Sequence, residues 1–576
     1  MQNVVNPIKR FIELIALEKK EIISIYFYAA ISGLIYLSLP LGIQSIINLL
    51  FGGIISTSLF ILVIAVAIGV GINGWLQIIR MQVNERIQKR IFTRYSLEFA
   101  YKIPRLDLIS VDNYHLPELV NRFFDIASLQ KGLSKVLLEF PSAFIQIIFG
   151  IILLSLYSHV FIIFGIILLG LIFLILRFTY PKGMSTSLTE SKYKYEVGHW
   201  LEEVARTIKS IKFMGRSNFP AQKADQLISG YLDAREEHFK ILKIQYWAFV
   251  AFKTLTTIAL LLVGCFLVID EKINIGQFIA TEIIIITILS SVEKVIDSLD
   301  AIYDMLTSLE KVSHIMDKPN ERISGININE VSSNKGLSIK ADHLSYRFKS
   351  GEKYNLHNLN FEINSGEKVC IFGTEGSGKS TLLKLFTGAY PQYEGQLLIN
   401  NYPISNYNLE LLRNEIGISM ASDDIFSGTL RDNLILGNEN ISNQRIIEVA
   451  QETGLLSFIQ SIKDGLQHTI NSSGKQLPRN IINKILVTRA LLASPKLVLI
   501  EDCWSSLERN EQEKMVSLLT NKNNIFTLIG VSNDPNFAAN CDKIILLDEG
   551  EILDFGAFKD VAKNNNYTKL FKQLSL

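Results

Sequence analysis

One run of residues in the second half of the chain has the composition and spacing of a loop that holds phosphate groups. Residues 373–381 read GTEGSGKST and follow the apolar run 369–372. This is the GxxxxGK[ST] pattern between a buried strand and an apolar helix, which is the context the pattern requires. Its glycines let backbone N–H groups converge on phosphate oxygens. The sequence therefore predicts a nucleotide site, with a chance match as the alternative.

Individual residues of this loop have distinct predicted roles. Lys379 is expected to reach the β- and γ-phosphate oxygens of a nucleotide, and the hydroxyl of Ser380 is a predicted ligand of Mg²⁺. The predicted nucleotide-binding residues of the loop are Gly373, Thr374, Glu375, Gly376, Ser377, Gly378, Lys379, Ser380 and Thr381.

The chain that positions this loop is more apolar than a typical soluble enzyme. Of its 576 residues, 48% are hydrophobic and 20% are charged, and the mean hydropathy is +0.25. This intermediate hydropathy predicts one part in lipid and one part in water. The net charge of +1 gives no electrostatic reason to expect a nucleic-acid partner. The four cysteines form no CxxC pair, so neither a disulfide framework nor a zinc site is predicted.

Long stretches with few charged residues predict six membrane spans. Residues 22–79 contain no Asp, Glu, Lys or Arg. A span needs about 20 apolar residues, so this stretch holds two helices, with a turn at residues 52–53. A second pair is predicted over 133–176 with its tip at 157–159, and a third over 248–292.

The distribution of Lys and Arg predicts how these spans are oriented. The links after spans two and four are long and basic, whereas the links after spans one, three and five carry at most one lysine. The positive-inside rule therefore places both termini and both long links in the cytoplasm. The long links form helical hairpins with predicted tips near 113–121 and 210–218. A helix is predicted to continue out of span six and to stop near Pro319, followed by a linker at 320–336.

A six-span membrane half followed by a P-loop domain resembles the ABC exporter family, as a half-transporter, over nearly the whole chain. The residues PLGIQ at 40–44 are most similar to the branch that secretes toxins and bacteriocins by type I secretion. Some members of that branch begin with a cysteine-peptidase domain. About 20 residues precede span one here, which is too few for such a domain.

The resemblance implies the fold class and the domain order. The expected fold is an all-α, six-helix transmembrane exporter domain followed by an α/β P-loop NTPase, the ABC nucleotide-binding domain. The expected boundaries are an N-terminal cytoplasmic amphipathic segment at 1–20, the transmembrane domain at 21–316, a linker at 317–336 and the nucleotide-binding domain at 337–576.

Further family landmarks fall at matching positions of the second half. Phe348 is implied to stack on the adenine of ATP, with an ordinary strand aromatic as the alternative. The segment 425–433 is similar to the family's LF-x-GT-x-x-x-N motif. Gly550 and Gly556 match the closing hairpin.

Five catalytic landmarks depart from the family's pattern. Ala421 stands where the family has a glutamine that senses Mg²⁺ and water. Asn533 stands where the family has its switch histidine. The acid pair after the Walker B strand is exchanged, as Glu501 and Asp502, and Glu508 stands where the next loop has an aspartate. The family's LSGGQ signature, which caps the partner's ATP, corresponds here to Leu477, Pro478, Arg479, Asn480 and Ile481.

These departures have specific chemical consequences. Pro478 offers neither a hydroxyl nor an N–H group. Glu501 can still serve Mg²⁺, but the carboxyl of Asp502 is one methylene shorter than that of the usual catalytic base. We interpret the set as a domain that binds ATP and hydrolyses it poorly. The alternatives are an altered but working geometry and, for any single change, drift.

The resemblance implies a multi-pass protein of the bacterial inner membrane that uses ATP and Mg²⁺. Its implied partners are the lipid bilayer, a second half-transporter chain in a homodimer or heterodimer and, in the secretion branch, a periplasmic adaptor protein. Export of a peptide or protein is the favoured function. A regulatory or scaffold subunit without its own transport cycle is the alternative, and a kinase fused to a membrane anchor is a third. Glu139 and Glu282 are ionisable residues within the spans, either functional or simply facing a wet interior.

Overall fold

The chain folds into two compact units. The computed structural model describes residues 7–51, 57–112, 116–213, 215, 218–331, 335–348, 353–420, 425–471, 476–564, 566 and 568. Unit 1 consists of Met1–Leu106 and Val111–Pro319, and unit 2 consists of Asp107–Ser110 and Asn320–Leu576.

The described residues up to Pro319 mostly form helices. Their bounds are α1 Pro7–Leu17, α2 Lys19–Tyr36, α3 Ser38–Phe51, α4 Thr57–Lys102, α5 Leu108–Val111, α6 Leu116–Asn121, α7 Asp125–Tyr157, α8 Val160–Arg206, α9 Ile208–Phe213, α10 Phe219–Ile269, α11 Ile275–Asp297 and α12 Leu299–Met316. The predicted tip at 157–159 agrees with the connection between α7 and α8. The turn predicted at 52–53 lies outside the described residues.

Six helical segments within the described ranges are long and apolar enough to cross a membrane, as the sequence predicts. They are Lys19–Phe51, Thr57–Arg105, Leu116–Tyr157, Phe161–Arg206, Phe219–Ile269 and Ile275–Met316. Several are far longer than the roughly 20 residues that a bilayer requires, so each of these continues well beyond the hydrocarbon core.

The first and the last of the six segments each contain a break in the regular helix. The first is divided at Leu37, between α2 and α3. Pro40 has no N–H group to donate to the carbonyl of Tyr36, so the regular ladder is interrupted there. The last is divided at Ser298, where the sequence predicts one continuous helix. The Ser298 hydroxyl donates to the carbonyl of Lys294 at 2.7 Å and to the carboxylate of Glu139, contacts that accompany the break.

Small residues let the helices of unit 1 pack closely. A Cβ atom added at Gly132 in α7 would lie 2.4 Å from the Cβ of Met305 and 2.6 Å from the carbonyl oxygen of Ala301, both in α12. Membrane helices associate through such close contacts because lipid offers little hydrophobic driving force between them. A side chain at Gly132 would force α7 and α12 apart.

Unit 2 alternates strands and helices. Its strands are β1 Ile339–Tyr346, β2 Leu356–Ile363, β3 Lys368–Gly373, β4 Glu394–Ile399, β5 Tyr402–Pro403, β6 Ile416–Ser419, β7 Gly428–Thr429, β8 Thr469–Ile470, β9 Leu497–Glu501, β10 Thr527–Val531, β11 Lys543–Asp548 and β12 Glu551–Gly556. Its helices are α13 Ile328–Val331, α14 Lys379–Phe386, α15 Leu409–Asn414, α16 Leu430–Ile435, α17 Asn443–Glu452, α18 Leu456–Ser461, α19 Arg479–Leu492, α20 Arg509–Thr520, α21 Pro535–Asn540 and α22 Phe558–Val561.

Two main sheets organise the described part of unit 2. The first has the order β2-β1-β4-β5 and is antiparallel. The second has the order β12-β11-β3-β10-β9-β6, in which β12 is antiparallel to its neighbour and the other strands are parallel. Every residue of β3 and β10 is buried, as expected for central strands covered on both faces.

Part of the stretch that the sequence predicts as a linker is packed on unit 2. Ile326 exchanges backbone hydrogen bonds with Asn406 and Asn408, at 2.8 and 3.1 Å. Ile328 is completely buried in the same hydrophobic cluster as β1 and β2. These apolar residues explain why an Asn- and Ser-rich stretch follows the surface of unit 2 closely.

The connection after α4, where the sequence predicts a tip at 113–121, begins earlier than that tip. Helix α4 ends at Lys102, and the next residues, Ile103–Arg105, form a 3-10 turn. Pro104 explains this end, because it cannot continue the hydrogen-bond ladder of α4. The four residues Asp107–Ser110 then belong to unit 2, and Ile109 packs against its hydrophobic cluster. Residues 113–115 lie outside the described ranges.

Candidate nucleotide-binding site

Three neighbouring strands end at one edge of the parallel sheet and bring predicted site residues together there. Strand β10 lies between β3 and β9, and its last residue, Val531, is level with Ile371 and Glu501. The phosphate loop follows β3, Glu501 ends β9, and Asn533 follows β10. In α/β proteins, ligands bind at the carboxyl ends of such strands. The topology therefore assembles one site from distant parts of the sequence.

The loop between β3 and α14 requires glycine at two positions. Gly376 and Gly378 have φ angles of +78° and +97°, which L side chains rarely adopt. A Cβ atom at Gly378 would also lie 2.6 Å from the carbonyl oxygen of Asn355. At Gly376, no described atom would lie within 4 Å of such a Cβ, so this part of the loop is open. This backbone has the curvature expected of a loop that surrounds phosphate.

Lys379, the first residue of α14, lies beside the loop. Its ammonium group donates hydrogen bonds to the carbonyl oxygens of Gly373 at 2.8 Å and Thr374 at 2.5 Å. Burial lowers the pKa of Lys379, while the carboxylates of Glu375 and Glu501 act in the opposite direction. A positive charge close to the loop is well placed to bind phosphate oxygens.

Ser380 and Glu501 are in direct contact. The Ser380 hydroxyl donates a hydrogen bond to the Glu501 carboxylate. A hydroxyl and a carboxylate are oxygen ligands of the kind that Mg²⁺ prefers. The two predicted metal-binding residues therefore fit the ion, even though the acid is a glutamate at the end of its strand.

Other predicted loop residues contact the protein itself. The Thr374 hydroxyl donates to the carboxylate of Asp548 at 2.6 Å. Ser377 is almost completely buried, and its hydroxyl has no hydrogen-bond partner among the described residues. A Cβ at Gly373 would lie 2.9 Å from that hydroxyl, which places the Ser377 side chain beneath the loop. Glu375, by contrast, is exposed.

Asp502 lies just beyond the end of β9. Its backbone N–H donates to the carbonyl of Val531 at 3.0 Å, and its φ angle is +28°. Part of the residue reaches the surface, yet the protein surrounds the carboxyl closely enough that burial raises its pKa. Hydrogen bonds from Ser505 lower this pKa, and the charges of Asp534 and Glu501 raise it. A carboxyl with a raised pKa is a stronger base, provided that it can reach its target.

Asn533 contacts the phosphate loop directly. Its side-chain oxygen accepts a hydrogen bond from the backbone N–H of Gly373 at 3.2 Å. An amide cannot gain or lose a proton near neutral pH, so Asn533 cannot perform the proton chemistry of a histidine. Its observed contact instead ties the end of β10 to the start of the loop.

Phe348 lies two residues beyond the end of β1 and forms part of an aromatic cluster. Its ring is perpendicular to the rings of Tyr346 and Tyr390, with centroids 5.1 and 5.5 Å away. The side chain is only partly buried, so one part of the ring remains accessible to a stacking partner.

Comparisons with known proteins agree with this arrangement. The pattern of the ABC transporter family matches residues 356–505, and that of the ABC transporter transmembrane region matches residues 22–292. The chain belongs to the ABC exporter family. The nucleotide-binding loop described above is therefore the ATP-binding loop of an exporter.

Relatives of this exporter have names that refer to export or translocation. A putative export ATP-binding/permease protein of Rickettsia typhi is 27% identical over 67% of this chain and 66% of its own length. The alpha-hemolysin translocation ATP-binding protein HlyB of Escherichia coli O157:H7 is 25% identical over 65% of this chain and 53% of its own length. The match thus spans less than two thirds of these relatives.

The fold of the exporter is also similar to a solved structure. A bacterial Atm1-family ABC exporter with ATP bound matches with a TM-score of 0.81 and 16% identity, covering 97% of this chain and 99% of the other. At this level of identity, the likeness establishes the fold, a helical six-span domain followed by an α/β nucleotide-binding domain.

The exporter's signature position begins helix α19. Pro478 precedes the helix with φ −59° and ψ 146°, and it provides no side-chain cap. The side chain of Asn480 accepts a hydrogen bond from the backbone N–H of Ile481 at 2.9 Å. This N–H group also donates to the carbonyl of Pro478 at 3.0 Å. The Ile481 N–H group therefore finds its partners within the first turn of α19, and Pro478, at the position of the signature's serine, offers no hydroxyl. Leu477 is half-buried, and Arg479 is exposed.

Two other landmarks have different outcomes. Ala421 lies outside the described residues. In the segment 425–433, the buried side chain of Asn433 accepts from the N–H of Phe426 at 3.1 Å and donates to the carbonyls of Phe426 and Thr429. The asparagine of this motif therefore stabilises the local fold, because Asn433 holds the loop around Phe426 in place.

The sequence did not point to Asp548 and Asp534. Asp548 ends β11 next to β3 and binds Thr374, and Asp534 raises the pKa of Asp502. The sequence does contain a pattern that could have identified both residues. Asp534 follows an apolar run and Asp548 ends one, and each run predicts a parallel strand. Their side chains were therefore candidates for the same sheet edge.

Proposed function

We propose that this chain is the ATP-binding half of an exporter in a bacterial inner membrane, with both termini in the cytoplasm. ATP binding drives its transport cycle, and hydrolysis by its own residues is slow. The favoured cargo is a peptide or protein, since relatives in the leukotoxin and alpha-hemolysin systems are named as translocation proteins.

One contrast within the nucleotide site carries this proposal. The phosphate-binding side has its expected groups, with Lys379 beside the loop and Ser380 on Glu501. The hydrolytic side lacks them, because Asp502 is short and Asn533 is an amide bonded to Gly373. Such a site favours binding of ATP over hydrolysis of its terminal phosphate bond. When bound, Mg²⁺ would neutralise phosphate charge, held by Ser380 and Glu501.

Dimerisation makes the signature position relevant as well. In this family, each ATP lies between the loop of one chain and the signature of another. A homodimer of this chain would have two equally impaired sites. In a heterodimer, one site would combine this chain's acids with the partner's signature, and the other would include Pro478. Both assemblies are expected to hydrolyse ATP slowly, and an adaptor protein is a further expected partner.

The segment Asp107–Ser110 is the proposed mechanical link. It belongs to unit 2 although both of its neighbours along the chain belong to unit 1. Ile109 packs on the hydrophobic cluster that contains β1, and Asp107 lines a cleft with Tyr390 and Tyr407. Movement of the nucleotide-binding unit would therefore pull directly on the connection between α4 and α7.

A single substitution separates this proposal from the alternative of a regulatory scaffold. Lys379→Ala should abolish ATP binding, measured by photolabelling with an azido-ATP analogue. In a deletion strain it should also fail to restore export. Lys514→Ala, which removes an exposed lysine from α20, is the matched control. Full rescue by Lys379→Ala, with ATP binding lost, would favour the scaffold instead.

A further inference from the structure

A polar cleft lies among the helices of unit 1, beside the end of the charge-free stretch 22–79. It has a volume of about 510 Å³ and is formed by α4, α7 and the junction of α11 with α12. Ligand pockets for small molecules are typically about 300–1,000 Å³. Its charged lining residues are Arg80, Lys135, Glu139, Lys294 and Asp297. Ionisable groups at such depth are costly, so each needs a partner or a function.

Glu139 and Arg80 differ in how completely neighbouring residues supply their hydrogen bonds. Glu139 accepts a hydrogen bond from the hydroxyl of Ser298. Arg80 is 7% exposed and donates from one Nη to the hydroxyl of Ser142. Its Nε is buried and has no hydrogen-bond partner in the described part of the chain.

Among the described residues, Arg80 has no counter-ion, since no carboxylate lies within ion-pair distance of its guanidinium. The buried ammonium of Lys484, by contrast, has a carboxylate partner in Glu511 at 2.6 Å. The preceding stretch 22–79 has no acidic residue, and the first acid after Arg80, Glu85, pairs with Lys89 at 3.6 Å. A buried guanidinium without an anionic partner carries a large desolvation cost, and an anion that binds beside it would offset that cost.

We propose that this cleft is a cargo-binding site that recognises a carboxylate on a peptide through Arg80. The planar guanidinium can bind a carboxylate with two hydrogen bonds, one of them from the unpartnered Nε. Lys135 and Lys294 add positive charge, which gives three cations against the two carboxylates of Glu139 and Asp297. Those two carboxylates suit a nearby amine of the same peptide. This assignment rests on the proposed export function.

The test compares two matched peptide pools on the intact transporter. The full chain, with its native partner, is placed in phosphatidylcholine nanodiscs without ATP. One pool consists of hexapeptides with free carboxylates, and the other has the same sequences with carboxamide ends and Asn or Gln in place of acidic residues. Mass spectrometry of the retained peptides gives the ratio between pools. A charge-assisted contact predicts retention of the carboxylate pool by about tenfold or more over the amide pool.

Variants of α4 assign the preference to one side chain. Arg80→Gln should reduce the ratio to about one. Arg80→Lys keeps the charge but not the two-hydrogen-bond geometry, so it should keep only part of the ratio, and it also controls for folding. Arg86→Gln removes an exposed arginine from the same helix and should leave the ratio unchanged. Equal retention of both pools, retention of neither by the wild type, or an unchanged ratio in Arg80→Gln would overturn the proposal.

Two further measurements distinguish this proposal from binding of a lipid headgroup and from the proposed export function. Loss of the carboxylate preference in nanodiscs that contain phosphatidylglycerol would assign the anion to a lipid headgroup and overturn the cargo assignment. Lys379→Ala should keep the preference, because the assay uses no nucleotide. A failure of ATP-dependent export with the preference intact would therefore count against the proposed function alone.

Discussion

Lengthening the acid that follows β9 should increase ATP hydrolysis. In Asp502→Glu, the carboxyl gains one methylene and moves outward by about 1.5 Å, the length of a C–C bond. The position is already favourable in two respects. Its backbone N–H donates to the carbonyl of Val531, and burial raises the pKa of the carboxyl above its usual value.

The expected size of the gain follows from the role of a general base. A well-placed base contributes about 10²- to 10⁴-fold to a rate. Asn533 still lacks proton chemistry, so only the lower end of this range is expected. We predict a rise in kcat of about 10²-fold, which corresponds to about 2.7 kcal/mol of transition-state stabilisation.

The assay measures phosphate release by the full transporter in nanodiscs at saturating Mg²⁺ and ATP. Asp464→Glu is the matched control, because it makes the same chemical change at an exposed turn far along the chain. ATP affinity should be similar in all three proteins, since the phosphate loop is unchanged. A wild-type rate already typical of active transporters, or no gain in Asp502→Glu, would refute the view that the short acid limits hydrolysis.

Three further predictions concern the same site. Residual wild-type hydrolysis should rise with pH through the raised pKa of Asp502. Asp534→Asn should move that rise to lower pH, because it removes a like charge and still caps α21; an unmoved profile would exclude Asp502 as the base. Ser380→Ala should lower the Mg²⁺-dependent part of ATP affinity by about tenfold, measured by nucleotide titration with and without Mg²⁺, and unchanged affinity would remove Ser380 as a ligand. Phe348→Ala should weaken ATP binding by about 1–3 kcal/mol but leave the binding of inorganic triphosphate unchanged, whereas equal loss for both would contradict adenine stacking.

The phosphate loop and the membrane spans were readable from the sequence because both depend on local rules. The glycine spacing before Lys379 specifies a backbone with positive φ angles, and the structure has them at Gly376 and Gly378. Likewise, a charge-free stretch such as 22–79 can only be satisfied in lipid as helix, since every backbone group must be paired internally. Such features need no knowledge of distant residues.

Breaks in long helices were harder to predict. The apolar spacing from 292 to 315 indicated one continuous helix, but the structure divides it at Ser298. That serine contacts Glu139 on α7, a partner that lies 159 positions away in sequence. Periodicity reports which face of a helix is apolar. It contains no information about a polar contact from another helix.

The sequence by itself determined the type of protein, the loop that binds nucleotide and the residue types that depart from the family's catalytic pattern. Only the tertiary structure decided what those residues contact. The order of β3, β10 and β9 puts Asn533 on the loop and Glu501 on Ser380. The packing of α4 against α7 leaves Arg80 buried, and its Nε has no hydrogen-bond partner in the described part of the chain. The physical reason is that composition and spacing fix backbone conformation over a few residues, whereas hydrogen bonds and burial depend on which distant segments meet.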